Sequence, residues 1–188
     1  MLLDEQIVAL EKAFADAAIA HAFGGAQALA WYGSIRATHD IDVNVFVPAD
    51  EAEGVLAVLG ELGAEVDAPD LRARIERDGQ ARVRWEGTPV DLFFAYDAFH
   101  EHCRQRRRRV DFYGDPIHVL SAEDLIVFKA TFDRAKDWED IAGIVFACLE
   151  PLDYDYVRSF LSRIHGSDSP RIERLEAILA SGGESLGG

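Results

Sequence analysis

The chain has 188 residues, 49% of them hydrophobic, enough for one domain with a substantial core, or one domain with a small helical appendage. Its 34 acidic residues outnumber 19 basic ones and leave a formal net charge of −15. That balance excludes a protein that coats nucleic acid non-specifically, because such binding depends on phosphate neutralisation by lysine and arginine; it suits a cationic small substrate, or a nucleic acid met only by a local basic patch. Cys103 and Cys148 have no Cys-x-x-Cys partner and read as buried thiols in a reducing compartment. No apolar run reaches the length of a membrane span, and Met1-Leu-Leu-Asp-Glu5 lacks a basic leader, so the cytoplasm is expected.

Ile7, Leu10 and Phe14 recur at helical spacing and predict a helix over 4–17. Residues 18–23 read as a short buried strand that ends at Gly24-Gly25. A helix follows from Ala26 to Tyr32, stopped near Gly33, and Trp31-Tyr32 are assigned to the core. The apolar run over 40–47 is a second strand, ended by Pro48. Asp50 with Glu53 predicts a capping box and a helix to Leu62. Residues 64–79 are polar and carry no clear pattern. Arg82 to Glu86 alternates, Gly87-Thr88-Pro89 turns, and Val90 to Ala95 is a strand, together a hairpin. Mixed helix and strand follow to Val119. Ser121 and Asp124 form a capping pattern for a helix through Phe132, with Leu125, Ile126 and Phe128 on its apolar face. Further helices are expected over 138–149, 153–164 and 169–180, then a flexible tail over 181–188.

These elements predict an α/β (α+β) fold. A catalytic domain over 1–120 carries a small mixed sheet with flanking helices, and a helical region over 121–180 packs on it.

Two carboxylates, Asp40 and Asp42, stand two apart inside Ile41-Asp-Val43-Asn-Val45-Phe46-Val47. A strand puts residues i and i+2 on one face, so these like charges point the same way. A divalent cation between them relieves the repulsion, and Mg²⁺ is typically held by a few carboxylates plus substrate phosphates. Upstream, Gly24 and Gly25 let a backbone approach phosphate. Two-metal transfer chemistry calls for a third carboxylate. Asp91, alone within Val90-Asp-Leu92-Phe93-Phe94, fills that place if its strand lies beside 40–47. There it serves as a metal ligand or as the base that deprotonates an acceptor hydroxyl. The alternatives are solvated charges at a strand end for Asp40 and Asp42, and a strand-edge charge for Asp91. Arg36 reads either as a phosphate contact or as an ion-pair partner of the two aspartates.

Phe23-Gly24-Gly25, a helix, then Arg36-x-Thr38-x-Asp40-Ile41-Asp42 resembles the nucleotidyltransferase superfamily related to DNA polymerase β. Leu125-Ile-Val-Phe-Lys129 followed by Arg134-Ala-Lys136-Asp137-Trp-Glu-Asp140-Ile141 resembles one branch of it, the AbiEii-type toxins of type IV toxin–antitoxin systems, whose relatives modify tRNA 3′ ends. The matching segments span residues 23–141. The resemblance implies the nucleotidyltransferase fold, Mg²⁺ on Asp40, Asp42 and Asp91, and an NTP such as ATP or CTP. It implies nucleotide binding by Gly24, Gly25, Arg36, Thr38, Lys136 and Asp137. It also implies that Lys129 lies near the phosphates and Asp140 near the nucleotide or acceptor. Lys129 otherwise reads as a solvent-facing lysine, and Asp137 and Asp140 as residues favouring a helix N-terminus.

The expected reaction moves an NMP from an NTP to an acceptor hydroxyl. The AbiEii resemblance implies a tRNA 3′ end and a possible cognate antitoxin protein. The acidic composition suits an antibiotic hydroxyl of the aminoglycoside or lincosamide kind, since an acidic groove attracts polycations. A non-catalytic nucleotidyltransferase-like binding domain is the third reading. The Arg104-Gln-Arg106-Arg-Arg-Arg109 run is either a local RNA contact or a solvated face paired with acids. His100 and His102 have metal-like spacing but no third ligand of matching spacing, so no zinc is assigned to them.

Overall fold

The computed structural model describes residues 1–184. The chain divides into two compact units, Met1–Gln27 with Ala37–Leu120, and Ala28–Arg36 with the chain from Ser121 onward.

The first unit contains α1 (Leu3–Asp16), β1 (His21–Phe23), the first turn of α2 (Gly25–Trp31), β2 (Ile41–Pro48), α3 (Ala52–Glu61), α4 (Leu71–Asp78), β3 (Gln80–Trp85), β4 (Thr88–Ala95), α5 (Ala98–Arg106), β5 (Arg108–Phe112) and β6 (Asp115–Val119). The strands form one mixed sheet in the order β3-β4-β2-β1-β6-β5. β2 runs parallel to β4 and β1 to β6, and the other neighbours are antiparallel. The core follows from periodicity. Ile7, Leu10 and Phe14 of α1 are buried, as are Ala81, Val83 and Trp85 of β3 and Val90, Leu92 and Phe94 of β4, each at alternate strand positions. Each large side chain so buried stabilises the fold by about 1.5–3 kcal/mol. On β4 the alternation leaves Asp91 on the face opposite Val90 and Leu92.

Several elements depart from the sequence expectations for local reasons. β1 starts at His21 rather than 18, because the chain leaving α1 turns through Ala18 at φ +56° and the Ile19 N–H closes on the Phe14 carbonyl. The Asp50–Glu53 capping box does not form. A 3₁₀ turn over Ala49–Glu51 leads into α3, and the Glu53 carboxylate binds Arg72 instead. Within 64–79 lies α4, whose apolar face consists of Leu71 and Ile75 alone and which ends at the left-handed Gly79. The hairpin turns on Glu86-Gly87, both at positive φ, so Thr88 and Pro89 belong to β4.

The second unit is helical: the rest of α2, then α6 (Ala122–Phe132), α7 (Ala135–Ala147), α8 (Tyr154–His165) and α9 (Pro170–Glu184). α6 contacts α7 and α8, and every residue from Ala122 to Val127 is buried, the mark of a central helix. Ser121 caps it by accepting the Asp124 N–H at 3.1 Å. α7 starts three residues before the expected position, because the Asp137 carboxylate accepts the Arg134 N–H at 3.2 Å and closes its first turn. Gly33, at φ +87°, lies where a Cβ would sit 2.9 Å from the Ala147 Cβ. Trp31 is exposed, unlike its buried neighbour Tyr32. α9 runs through Glu184, so residues 181–184 of the expected tail are helical; residues 185–188 lie outside the described residues. Among the described residues no helix is long and apolar enough to cross a membrane.

A carboxylate row on the sheet as candidate active site

In the first unit, β2 and β4 lie side by side with Asp42 opposite Asp91, and β3 continues the row with Arg82 opposite Asp91. Cross-strand partners share a face, so the register sets two carboxylates and one guanidinium in a line. Arg82 donates two bonds to Asp91, Nε to Oδ1 at 2.6 Å and Nη2 to Oδ2 at 2.5 Å, and its Nη2 lies 3.9 Å from Asp40 Oδ2. The hydrogen bond and charge of Asp91, then the charges of Asp40 and Asp42, raise the Arg82 pKa further above its ordinary value. One cation thus answers three carboxylates.

Asp40 does not lie on the strand. It precedes β2 in a bend, and two side chains place it. Thr38 Oγ1 donates to Asp40 Oδ1, and Gln27 Nε2 donates to the Asp40 carbonyl at 3.2 Å. Asp42 is seated by the glycines. The Gly24 N–H donates to the Asp42 carbonyl at 2.9 Å. Gly25 has φ +48°, and a Cβ there would lie 1.8 Å from Asp42 Oδ2. No other residue type leaves that carboxylate its position. The close approach that Gly25 permits is therefore to Asp42. α2 has only seven residues, so its macrodipole adds little.

The donor set fits a hard divalent cation. It consists of carboxylate oxygens, which suit Mg²⁺ rather than a softer metal. One of them rests against a backbone with no room for a Cβ, and all three act on a single positive charge that already stands among them.

The remaining predicted residues lie in the second unit. Lys129 on α6 is not solvent-facing but 5% exposed. Its Nζ donates to Asp140 Oδ2 at 2.5 Å and lies 3.8 Å from Asp137 Oδ1. Asp137 is fully buried and also accepts from Arg134 Nε at 2.6 Å. Arg36 pairs with Asp140, Nε to Oδ1 at 3.5 Å, rather than with Asp40 and Asp42. Lys136 is exposed. The segment from Lys129 to Asp140 thus carries a cluster of opposite charges in which Lys129, Asp137 and Asp140 are buried.

In the first unit again, Arg104 pairs with Glu101 at 2.7 Å, and Arg108 and Arg109 are exposed on β5. His100 Nδ1 meets Asp97 Oδ1 at 2.6 Å at the start of α5. Cys103 is buried and Cys148 half-buried. Sequence reasoning missed Arg82 and Gln27 as partners of the carboxylates. Arg82's alternation with Val83 was visible, but its register with Asp91 was not.

No protein-family model matches the chain, and no curated protein matches it. Solved structures do. The antibiotic-resistance factor ANT(2″)-Ia in solution aligns with a TM-score of 0.56 at 16% identity, covering 98% of this chain and 95% of that one. The same enzyme in complex with adenylyl-2″-tobramycin aligns at 0.55 and 15% identity, covering 97% and 98%. An antigenic nucleotidyltransferase-like protein from Paracoccidioides brasiliensis aligns at 0.50 and 14% identity, covering 93% and 92%. The chain has the nucleotidyltransferase fold.

Proposed function

We propose that this protein is a Mg²⁺-dependent nucleotidyltransferase that moves an NMP from an NTP to a hydroxyl of a small polycationic acceptor. The observation that carries the reading is the in-register placement of Asp42 beside Asp91, with Asp40 close enough to act on the same cation. In this reaction the acceptor oxygen forms a bond to the α-phosphorus, the bond from that phosphorus to the β-phosphate bridging oxygen breaks, and pyrophosphate leaves. Asp40, Asp42 and Asp91 would hold the metal, which when bound supplies positive charge to the attacking and leaving oxygens. In this reading Asp91 takes the hydroxyl proton, once Arg82 has released it. Thr38, Gln27 and Gly25 keep Asp40 and Asp42 in place. Lys129, Asp137, Asp140 and Arg36 act as positioning residues that fix α6, α7 and the chain before Thr38, because their charges are already engaged with one another.

The small-acceptor reading rests on the net charge of −15, which favours a polycation, and on the adenylylated tobramycin held by the similar ANT(2″)-Ia. A tRNA 3′ end, with an antitoxin as partner, is the second reading; the exposed Arg108 and Arg109 on β5 favour it. Incubation with each α-labelled NTP and Mg²⁺ decides between them, with kanamycin, lincomycin or total tRNA as acceptor. Label on the aminoglycoside supports the first reading and label on RNA the second. Label on neither, with no Mg²⁺-dependent stabilisation by any NTP, removes both.

A further inference from the structure

Away from the carboxylate row, three residues meet that the nucleotidyl-transfer reading does not use: Glu11 on α1, His21 at the start of β1 and His118 on β6. One ligand atom from each lies within 4.8 Å of the other two. Glu11 and His21 are buried, and His118 keeps about a quarter of its side chain exposed, 27%.

The hydrogen bonds assign the protons. His21 Nδ1 lies 2.9 Å from the Ile19 carbonyl oxygen, which can only accept, so Nδ1 carries a proton. In the neutral ring Nε2 is then a bare lone pair, and it points at Glu11 Oε2 from 2.9 Å. A lone pair facing a carboxylate repels it, so a positive species belongs between them, either a second ring proton or a metal ion. The other side of the carboxylate is occupied in a similar way. Glu11 Oε1 lies 2.7 Å from His118 Nδ1, and Oε2 also accepts the His118 backbone N–H at 2.9 Å.

We propose that Glu11, His21 and His118 form a binding site for a zinc-class divalent cation that ties α1 to β1 and β6. Two imidazoles and a carboxylate are a donor set that zinc favours and Mg²⁺ does not. Ligand atoms of a tetrahedral zinc with bonds of about 2.0–2.2 Å stand roughly 3.3–3.6 Å apart, within a small side-chain rotation of the present arrangement. The bond from His21 Nδ1 to a backbone carbonyl is the usual support that fixes a metal-binding imidazole. The exposed edge of His118 gives the ion its way in and leaves a fourth position for water.

The test uses the untagged full chain and Co²⁺ as a spectroscopic probe. The expected result is one equivalent of Co²⁺ with the visible absorption of a four-coordinate ion. Zn²⁺ should bleach it, excess Mg²⁺ should not, and Asp42→Asn should retain it, which separates this site from the carboxylate row. His118→Ala, at the most exposed ligand, should lose the absorption and the rise in melting temperature with Zn²⁺; His118→Gln is the replacement variant if alanine disturbs folding. No such absorption in the wild-type chain means that a proton fills the gap, and overturns the site. Absorption unchanged in the His118 variants overturns it equally.

Discussion

The two charged clusters of this protein differ in what compensates them. In the first unit, Asp40, Asp42 and Asp91 act on Arg82, a side chain 58% exposed at one edge of the row. In the second, Lys129 sits between Asp140 and Asp137 with all three side chains less than 10% exposed. An exposed arginine can leave its carboxylates at little cost, since surface ion pairs contribute about 0–1 kcal/mol. A buried ion pair cannot open cheaply, because losing one partner strands the other charge away from water. Carboxylates with a displaceable counterion are available to a metal; those with a buried one hold helices together.

Substitutions can break this contrast. Asp42→Ala is expected to lower nucleotidyl transfer by ~10³-fold or more, because developing charge loses its preorganised support. Its melting temperature should stay near that of the wild type, so a matched fall in stability and activity would merge the two clusters into one class. Lys129→Ala should behave in the opposite way. Denaturant unfolding should show a loss of about 3–5 kcal/mol, as when a buried pair is broken. If Lys129→Ala instead keeps its stability and only raises KM for the NTP, the lysine is a phosphate ligand, as the family resemblance implied.

What the sequence revealed follows the same line. Asp42 and Asp91 stood out because a carboxylate inside an apolar strand run is costly without a purpose, and their pairing across β2 and β4 needed only the expected adjacency; Asp40 was legible as a neighbour of Asp42, but not as a residue held in a bend before the strand. Lys129 was legible as a motif member but not as a buried one, since its partner lies eleven residues away on another helix. Arg82 was hidden because an arginine in an alternating strand is ordinary until register sets it against Asp91. The Glu11–His118 contact spans 107 residues and joins a helix to a strand, so no spacing rule reaches it. α4 went unseen because Leu71 and Ile75 are too few to show a period.

Gly25→Ala sharpens the placement of Asp42. The new Cβ meets the carboxylate and the backbone is strained at φ +48°, so about 1–3 kcal/mol of stability should be lost. Transfer should fall more than Gly24→Ala makes it fall, since a Cβ at Gly24 comes no nearer than 3.1 Å to its closest neighbour, Asn44 Nδ2. Arg82→Gln should have the smallest effect. Its stability should change by about 1 kcal/mol or less, and half-saturating Mg²⁺ should fall a few-fold as the competing cation is removed. A rise in the Mg²⁺ requirement would show that Arg82 supports the metal-bound state rather than opposing it.

The most direct measurement is the thermal shift produced by ATP or CTP with and without Mg²⁺, in the wild type and in Asp42→Asn. If the carboxylate row holds the metal and nucleotide, the wild type gains stability only when both are present, and Asp42→Asn gains none while melting at an unchanged temperature on its own. An equal Mg²⁺-dependent shift in Asp42→Asn would contradict the assignment of the row as the active site.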